Sequence, residues 1–186
     1  IQVLCLADGA GSATQSEFGA QSVVHDGCEL LIDRFHDFAN GDDALQARRD
    51  IVDYLHAGLA ETADKFQCEI GDLASTFLAV AVSGDRFVIA HVGDGVVGFV
   101  KHGELRVASG PDNAEFANAT TFITSSDAVA SLRLFRGSLE GVSGFILMSD
   151  GASDSLYDQR SGRLAPACEK LIAITATAPT RHSKNP

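Results

Sequence analysis

Three aspartates lie where a strand would end and the backbone would turn, namely Asp8, Asp94 and Asp150. Each follows a run of apolar residues, which is typical of a buried strand, and each is followed at once by glycine. A carboxylate at a strand end, beside a carbonyl that glycine leaves unobstructed, suits a hard divalent cation. One such aspartate also ends many strands in an ordinary turn. Because the pattern occurs three times, we expect the three carboxylates to converge on one metal site.

A fourth carboxylate, Asp154, follows Asp150 by four residues. If a helix begins near Asp150, this spacing places both side chains on one helix face, where they could serve the same site. The alternative is that Asp154 only stabilises the positive end of the helix dipole in the first turn. The spacing is compatible with both interpretations.

Two long helices are predicted between the first aspartate and the central strands. Thr14 and Glu17 have the spacing of a capping box, and the apolar residues that follow recur at helical spacing as far as Asn40. A second helix is predicted from about Asp43 to Phe66. Two long helices joined by a tight turn are typical of an antiparallel pair laid on a sheet.

The pattern then changes to short strands joined by tight turns. The hairpins expected are Thr76 to Ser83 with Arg86 to Val92, and Val96 to Lys101 with Glu104 to Ala108; further strands are expected at Phe122 to Thr124, Leu132 to Leu139 and Phe145 to Ser149. Helices are predicted from Asp150 and from Leu164 to Thr175.

Two features of this region bear on the site. The polar segment Ser109 to Ala119 is interpreted as a mobile surface loop beside the aspartates that influences substrate choice. His91 precedes Asp94 on the same strand, and we interpret it as a structural histidine rather than a metal ligand. Helices before and after a block of antiparallel strands predict an α+β fold.

Four motifs resemble, in the same order, those of the PP2C-type (PPM) metal-dependent serine/threonine phosphatases. Their amino-acid sequences are most similar to those of a bacterial branch of that family. They are Ala-Asp-Gly-Ala-Gly-Ser from Ala7, Ser-Thr-Phe from Ser75, Gly-Asp-Gly from Gly93 and Ser-Asp-Gly-Ala-Ser-Asp from Ser149. The resemblance covers nearly the whole chain. It implies an antiparallel β-sandwich flanked by pairs of helices, and hydrolysis of phosphoserine or phosphothreonine on proteins by a water that two metals activate.

The resemblance also implies residue roles. Asp8 would bridge two metals and, with Asp150, carry the catalysis, the Gly9 carbonyl would help to hold one ion, and Asp150 would hold the other. Asp94 and Asp154 would belong to a weaker third ion. All-oxygen ligation points to Mg²⁺ or Mn²⁺ rather than zinc.

The same resemblance predicts one phosphatase domain over residues 1–186 that lacks parts at both ends. An acidic ligand and a phosphate-binding arginine would precede Ile1, and a last metal aspartate would follow Pro186. Two functions therefore stay open: a metal-dependent protein phosphatase, and a catalytically silent module that binds a phosphoprotein or a kinase. The expected partners are a phosphorylated protein substrate and a cognate serine/threonine kinase, with the chain itself a monomer.

Composition narrows the class of protein. With 186 residues, 45% of them hydrophobic, a single globular domain is expected. The net charge of −11 disfavours nucleic acid and anionic membrane surfaces as partners. The four cysteines lack zinc-like spacing and no apolar run is long enough to span a membrane, so we expect a cytoplasmic protein.

A cysteine-dependent phosphatase is the remaining chemical alternative, because Arg34 follows Cys28 at the spacing such enzymes use. That mechanism needs a glycine-rich loop of backbone N–H groups around the phosphate. Cys28 and Arg34 lie instead in a helical pattern with two acidic residues between them, which disfavours this mechanism.

Overall fold

Two antiparallel sheets face each other across an apolar interior in a computed structural model of the chain, which describes residues 1–111 and 120–177. In spatial order, the first sheet contains β1 (Gln2–Leu6), β2 (Phe77–Ser83), β3 (Arg86–Val92) and β6 (Arg133–Ser138). The second contains β5 (Glu104–Ser109), β4 (Val96–Lys101) and β7 (Val142–Met148), and a small hairpin pairs β8 (Tyr157–Asp158) with β9 (Arg163–Leu164).

The helices lie outside the two sheets. They are α1 (Ser16–Asp33), α2 (Phe35–Asn40), α3 (Ala44–Phe66), α4 (Ala128–Ser131), α5 (Asp150–Leu156) and α6 (Ala167–Thr177), and a 3₁₀ turn spans Ile70–Leu73. The pair α1 and α3 covers the first sheet, and α6 covers the second, where Ile172 packs above Gly144. No described helix has the length and apolar content that crossing a membrane requires.

The continuous apolar character of the central strands follows from burial on both faces. In β2, Phe77 and Ala79 face the helices, while Leu78 and Val80 face the second sheet. Successive side chains of a strand point to opposite faces, so a strand covered on both sides needs apolar residues at every position. The predicted α+β sandwich with helices outside it is confirmed.

The start of the first helix differs from the prediction. Thr14 does not cap α1; the N-cap residue is Gln15, and no side chain caps this helix. The Thr14 hydroxyl instead donates to Asp72 Oδ1 at 3.0 Å, which ties the entry of α1 to the 3₁₀ turn. The capping-box pattern was wrong here because a tertiary partner competes for the hydroxyl.

The first predicted helix is also divided in two. Arg34, with φ −114° and ψ 21°, separates α1 from α2. Its guanidinium donates to Asp37 at 3.2 Å and to Asp50 of α3 at 2.8 Å. These contacts also exclude Arg34 from a phosphate-binding loop with Cys28, because the guanidinium is already paired with carboxylates.

The strand predicted at Phe122 to Thr124 was wrong. The Phe122 N–H donates to Ser125 Oγ at 3.0 Å in a turn, and the Ile123 N–H donates to the Ser75 carbonyl at 3.0 Å. Ile123 is fully buried. The apolar residues of this segment therefore anchor a turn next to the first sheet rather than form a strand. Residues 112–119 of the predicted surface loop, and the tail from residue 178, lie outside the described residues.

Candidate metal centre

Asp8 is held at the end of β1 by the segment that leads into β2. The Asp8 N–H donates to Thr76 Oγ1 at 2.9 Å, and the Thr76 N–H donates to the Asp8 carbonyl at 2.9 Å. Two residues on, the Ala10 N–H donates to the Ala74 carbonyl at 2.9 Å. These bonds extend the β1–β2 pairing past the end of the strand, so the backbone under the Asp8 carboxylate is fixed.

The backbone carbonyl of Gly9 is not used in this pairing. Gly9 forms an isolated bridge with Ser75 whose two hydrogen bonds use the Asp8 carbonyl and the Ala10 N–H, so the bridge does not engage the Gly9 carbonyl. A Cβ at Gly9 would lie 2.8 Å from the Ser16 Cβ at the start of α1. Glycine is therefore required for α1 to begin this close to the strand end.

Asp94 lies in the turn between β3 and β4. Gly93 before it has φ +113°, a backbone conformation that residues other than glycine rarely adopt. A Cβ at this position would also lie 2.5 Å from the Thr76 Cγ2. The Asp94 Oδ2 accepts a hydrogen bond from the Thr120 hydroxyl at 2.6 Å. Asp94 is thus oriented by a residue far along the chain, on the other side of residues 112–119.

Asp150 is the first residue of α5, directly after β7 and Ser149. Its Oδ1 accepts from the Gly151 N–H at 2.6 Å, as expected for a carboxylate at a helix N-terminus. The Ser153 hydroxyl donates to the Asp150 carbonyl at 3.0 Å. The Asp150 carboxylate is therefore held against the first turn of α5, directly after β7.

The structure brings Asp8, Asp94 and Asp150 together, although β1 and β3 belong to one sheet and β7 to the other. The three side chains line one pocket of about 230 Å³, whose other lining residues are Gly9, Ala10, Gly11, Thr76, Thr120 and Phe122. Burial raises the pKa of the Asp8 carboxyl, a hydrogen bond and charge from Asp150 and the charge of Asp94 raise it further, and a Ser149 hydrogen bond opposes them. The carboxylates therefore repel one another.

Asp154 lies elsewhere. It is exposed one turn further along α5, and it lines a different, open pocket next to the β8–β9 hairpin. A role for it at the third ion remains a prediction from the resemblance.

Sequence reasoning missed two residues that support the site. Thr120 was not distinguished from its neighbours, and its hydroxyl is the donor to Asp94. Arg133 begins β6, and its guanidinium donates to the carbonyl of Gly93 at 2.6 Å and to the carbonyl of Gly110. Thr120 stands in the sequence Asn-Ala-Thr-Thr-Phe from Asn118, which resembles the bacterial branch, but nothing in that motif marks its hydroxyl as the donor to Asp94. Arg133 has no local sequence signal, because it acts across the strands and not along them.

His91 is buried in the interior of the sandwich. Its Nδ1 lies 2.8 Å from Ser109 Oγ, and burial together with the charge of Arg133 lowers the pKa of His91 to about 3. The ring is therefore neutral at ordinary pH, and it does not line the aspartate pocket.

The donor set of the pocket fits a hard divalent cation. The lining residues carry three carboxylates, two threonine hydroxyls and the Gly9 carbonyl, and every one of these polar atoms is oxygen. Repulsion among the carboxylates is the feature that a bound cation would relieve. Magnesium and manganese prefer this chemistry, whereas zinc prefers nitrogen and sulfur.

Comparison with known proteins places these features in a family. A family model described as Protein phosphatase 2C matches residues 1–183. Serine/threonine-protein phosphatase 3 of Escherichia coli (strain K12) is 34% identical over 131 residues, which are 70% of this chain and 51% of that protein. The chain thus spans about half the length of this curated relative.

Solved structures agree in fold. Serine/threonine phosphatase Stp1 from Staphylococcus aureus has a TM-score of 0.60 at 19% identity, covering 94% of this chain and 77% of that one. The catalytic domain of the phosphatase PstP, in complex with two manganese ions, has a TM-score of 0.60 at 21% identity, covering 94% and 80%. On the match over residues 1–183, this chain belongs to the protein phosphatase 2C family.

Proposed function

We propose that this protein hydrolyses phosphoserine and phosphothreonine on other proteins, with Mg²⁺ or Mn²⁺ bound by the aspartate pocket. The single observation that carries the proposal is the convergence of Asp8, Asp94 and Asp150 on one pocket. Burial and the charges of Asp150 and Asp94 raise the pKa of Asp8, so its ionised carboxylate is unfavourable there unless a cation offsets the charge.

Each residue of the pocket has a proposed role. Asp8 would bridge two ions, with the Gly9 carbonyl as a further ligand of one and Asp150 as a ligand of the other. Asp94 would contribute to a weaker third ion, together with Asp154. When bound, the two ions would acidify a water that attacks the phosphorus and would stabilise the charge that develops on the phosphoryl oxygens.

The chain's own contribution is to hold these oxygens and to leave room for the phosphate. Thr76 fixes the Asp8 backbone from both sides, so the carboxylate does not have to reorganise when charge develops. Gly9, Ala10 and Gly11 present little or no side chain at the pocket. A phosphorylated side chain on the surface of a protein could therefore reach the carboxylates. A phosphoprotein is accordingly the proposed substrate, and its kinase the proposed functional partner.

A second candidate function is a silent module that binds a phosphoprotein or a kinase without turnover. One observation favours it: among the described residues, none that lines the aspartate pocket is cationic, so none of them would bring a positive charge to the substrate phosphate. The E. coli relative is about twice as long as the region that this chain matches.

The deciding experiment uses the full-length protein. Turnover of a phosphothreonine peptide should require Mn²⁺ or Mg²⁺, stop on chelation and be lost in Asp8→Asn. Cys28→Ser is the matched control and should keep full activity, because no thiolate takes part. Turnover that survives chelation but disappears in Cys28→Ser would overturn the metal mechanism. Absence of turnover with every metal, alongside retained peptide binding, would favour the silent module.

A further inference from the structure

Arg133 joins two backbone segments next to the aspartate pocket. It begins β6, directly opposite His91 of β3. Its Nη2 donates to the Gly93 carbonyl at 2.6 Å and its Nη1 donates to the Gly110 carbonyl. Guanidinium is a rigid planar fork, so the two carbonyls that it binds are held at a fixed separation.

One of these two carbonyls lies directly before Asp94 in the chain. The Gly93 carbonyl is part of the peptide group that carries the Asp94 N–H, and therefore its direction sets how Asp94 leaves the turn. Gly93 has φ +113°. Glycine adopts positive and negative φ angles about equally well, so its own backbone preference does little to fix the orientation of the peptide group. The Arg133 hydrogen bond supplies that restraint.

Gly110 follows β5, and Thr120 stands on the other side of residues 112–119. The Thr120 hydroxyl donates to Asp94 Oδ2 at 2.6 Å. The two ends of this stretch are therefore both connected to the Asp94 turn, one through Arg133 and one through Thr120. The Thr120 bond restrains the rotation of the Asp94 carboxylate about its side-chain torsion.

Arg133 does not line the pocket, so its charge is not offered to a substrate there. A cation this close to a metal site would weaken metal binding if it faced the carboxylates, since like charges repel. Its Nη1 and Nη2 atoms donate to two backbone carbonyl oxygens. These two contacts fit a residue that restrains the backbone on which Asp94 is carried.

We infer that Arg133 is a positioning residue for Asp94: by holding the Gly93 and Gly110 carbonyls together, it sets the direction of the Asp94 carboxylate and thereby the occupancy of the cation site to which Asp94 contributes. The effect of Arg133 on turnover rests on the proposed phosphatase function, whereas its effect on metal binding does not depend on that function.

The test measures Mn²⁺ binding to the full-length protein by titration calorimetry and by the electron paramagnetic resonance of free Mn²⁺. Arg133→Met removes both donors at similar volume, and Arg133→Lys keeps the charge without the fork. The weakest Mn²⁺ site should lose affinity by about tenfold in Arg133→Met, the range seen when outer hydrogen-bond partners of ligands are removed. Arg133→Lys should fall between that variant and the wild type.

Arg86→Met is the matched control. Arg86 begins β3, at the opposite end of the sheet, and its Nη2 donates to the Ala39 carbonyl at 2.7 Å. Both substitutions remove a partly buried arginine that binds backbone, so both should lower the melting temperature. Only Arg133→Met should weaken the binding of Mn²⁺. In that variant the half-saturating Mn²⁺ concentration should rise, whereas kcat at saturating Mn²⁺ should equal that of the wild type.

Mn²⁺ affinity equal to the wild type in both Arg133 variants would overturn the inference, as would an equal loss in Arg86→Met. If Arg133→Met does not fold, the Mn²⁺ affinity of Arg133→Lys relative to the wild type is the deciding measurement. If the wild type binds Mn²⁺ but has no turnover, the proposed function fails while the comparison of affinities still tests Arg133. A wild type that binds no Mn²⁺ would overturn both.

Discussion

Thr76 and Asp8 exchange two hydrogen bonds across 68 positions of sequence, one from the Asp8 N–H to the Thr76 hydroxyl and one from the Thr76 N–H to the Asp8 carbonyl. The pair joins the end of β1 to the entry of β2. It keeps the Asp8 backbone in one position at the pocket. The carboxylate that is proposed to bridge two ions thus depends on a hydroxyl that is not itself a proposed ligand.

Thr76→Val removes this hydroxyl at nearly constant volume and leaves the Asp8 N–H without its acceptor. An unpaired buried donor costs about 1–3 kcal/mol, so the free energy of unfolding should fall by that amount. Turnover should fall as well, because the Asp8 backbone is released. Thr76→Ser retains the hydroxyl and should recover most of both quantities. Urea unfolding and phosphopeptide turnover, measured on both variants, check the prediction; equal losses in the two variants would contradict it.

Asp8→Asn should have opposite effects on stability with and without metal. Burial and the charges of Asp150 and Asp94 raise the pKa of Asp8, so its ionised form destabilises the metal-free folded protein. The asparagine variant should therefore melt at a higher temperature than the wild type in chelator at pH 7. Mn²⁺ should raise the melting temperature of the wild type much more than that of the variant.

The same substitution should reduce turnover by about a thousandfold, or about 4 kcal/mol, because a bridging charge between two cations is lost. Asp150→Asn should be nearly as damaging, whereas Asp94→Asn should act mainly at low metal concentration. Differential scanning fluorimetry with and without Mn²⁺, together with turnover, checks the set. A variant that is less stable than the wild type in chelator would refute the repulsion argument.

Gly9 and Gly11 provide a matched pair within one motif. A Cβ at Gly9 would lie 2.8 Å from the Ser16 Cβ, whereas a Cβ at Gly11 meets nothing within 4 Å. Gly9→Ala should lower the free energy of unfolding by about 1–3 kcal/mol through overpacking. Gly11→Ala should change it by no more than about 0.5 kcal/mol. Urea titration of both variants is the measurement, and a large loss in Gly11→Ala would show that the close approach to α1 is not the cause.

His91 should make the protein sensitive to acid. Its folded pKa of about 3 lies below the ordinary value of 6.5, so the unfolded chain binds the proton more readily. Stability from the neutral ring is complete above pH 6.5 and is lost as the pH falls toward 3. Over about three and a half units this amounts to about 5 kcal/mol. His91→Leu should flatten the dependence of unfolding free energy on pH between 6.5 and 4, compared with the wild type, and an unchanged slope would contradict the prediction.

Local sequence pattern was sufficient for most of the elements. The hairpin at Gly84 was predicted nearly to the residue, because a tight turn between two β-rich runs leaves little choice of register. Helix α3 was also predicted closely, and Asp43 caps it through the Gln46 N–H as its residue type favours. Errors occurred where a side chain or apolar residue is used at long range, as at Thr14 and Phe122 to Thr124.

By itself the sequence determined the three strands that lead to Asp8, Asp94 and Asp150 and the glycines that these turns need, because strand burial and backbone freedom are properties of neighbouring residues. Only the tertiary structure decided that Asp8, Asp94 and Asp150 share one pocket while Asp154 lines another. It also decided that Thr120 and Arg133 hold the Asp94 turn. These relationships join separate strands across two sheets, and no local periodicity encodes distances between segments that meet only when the sheets pack.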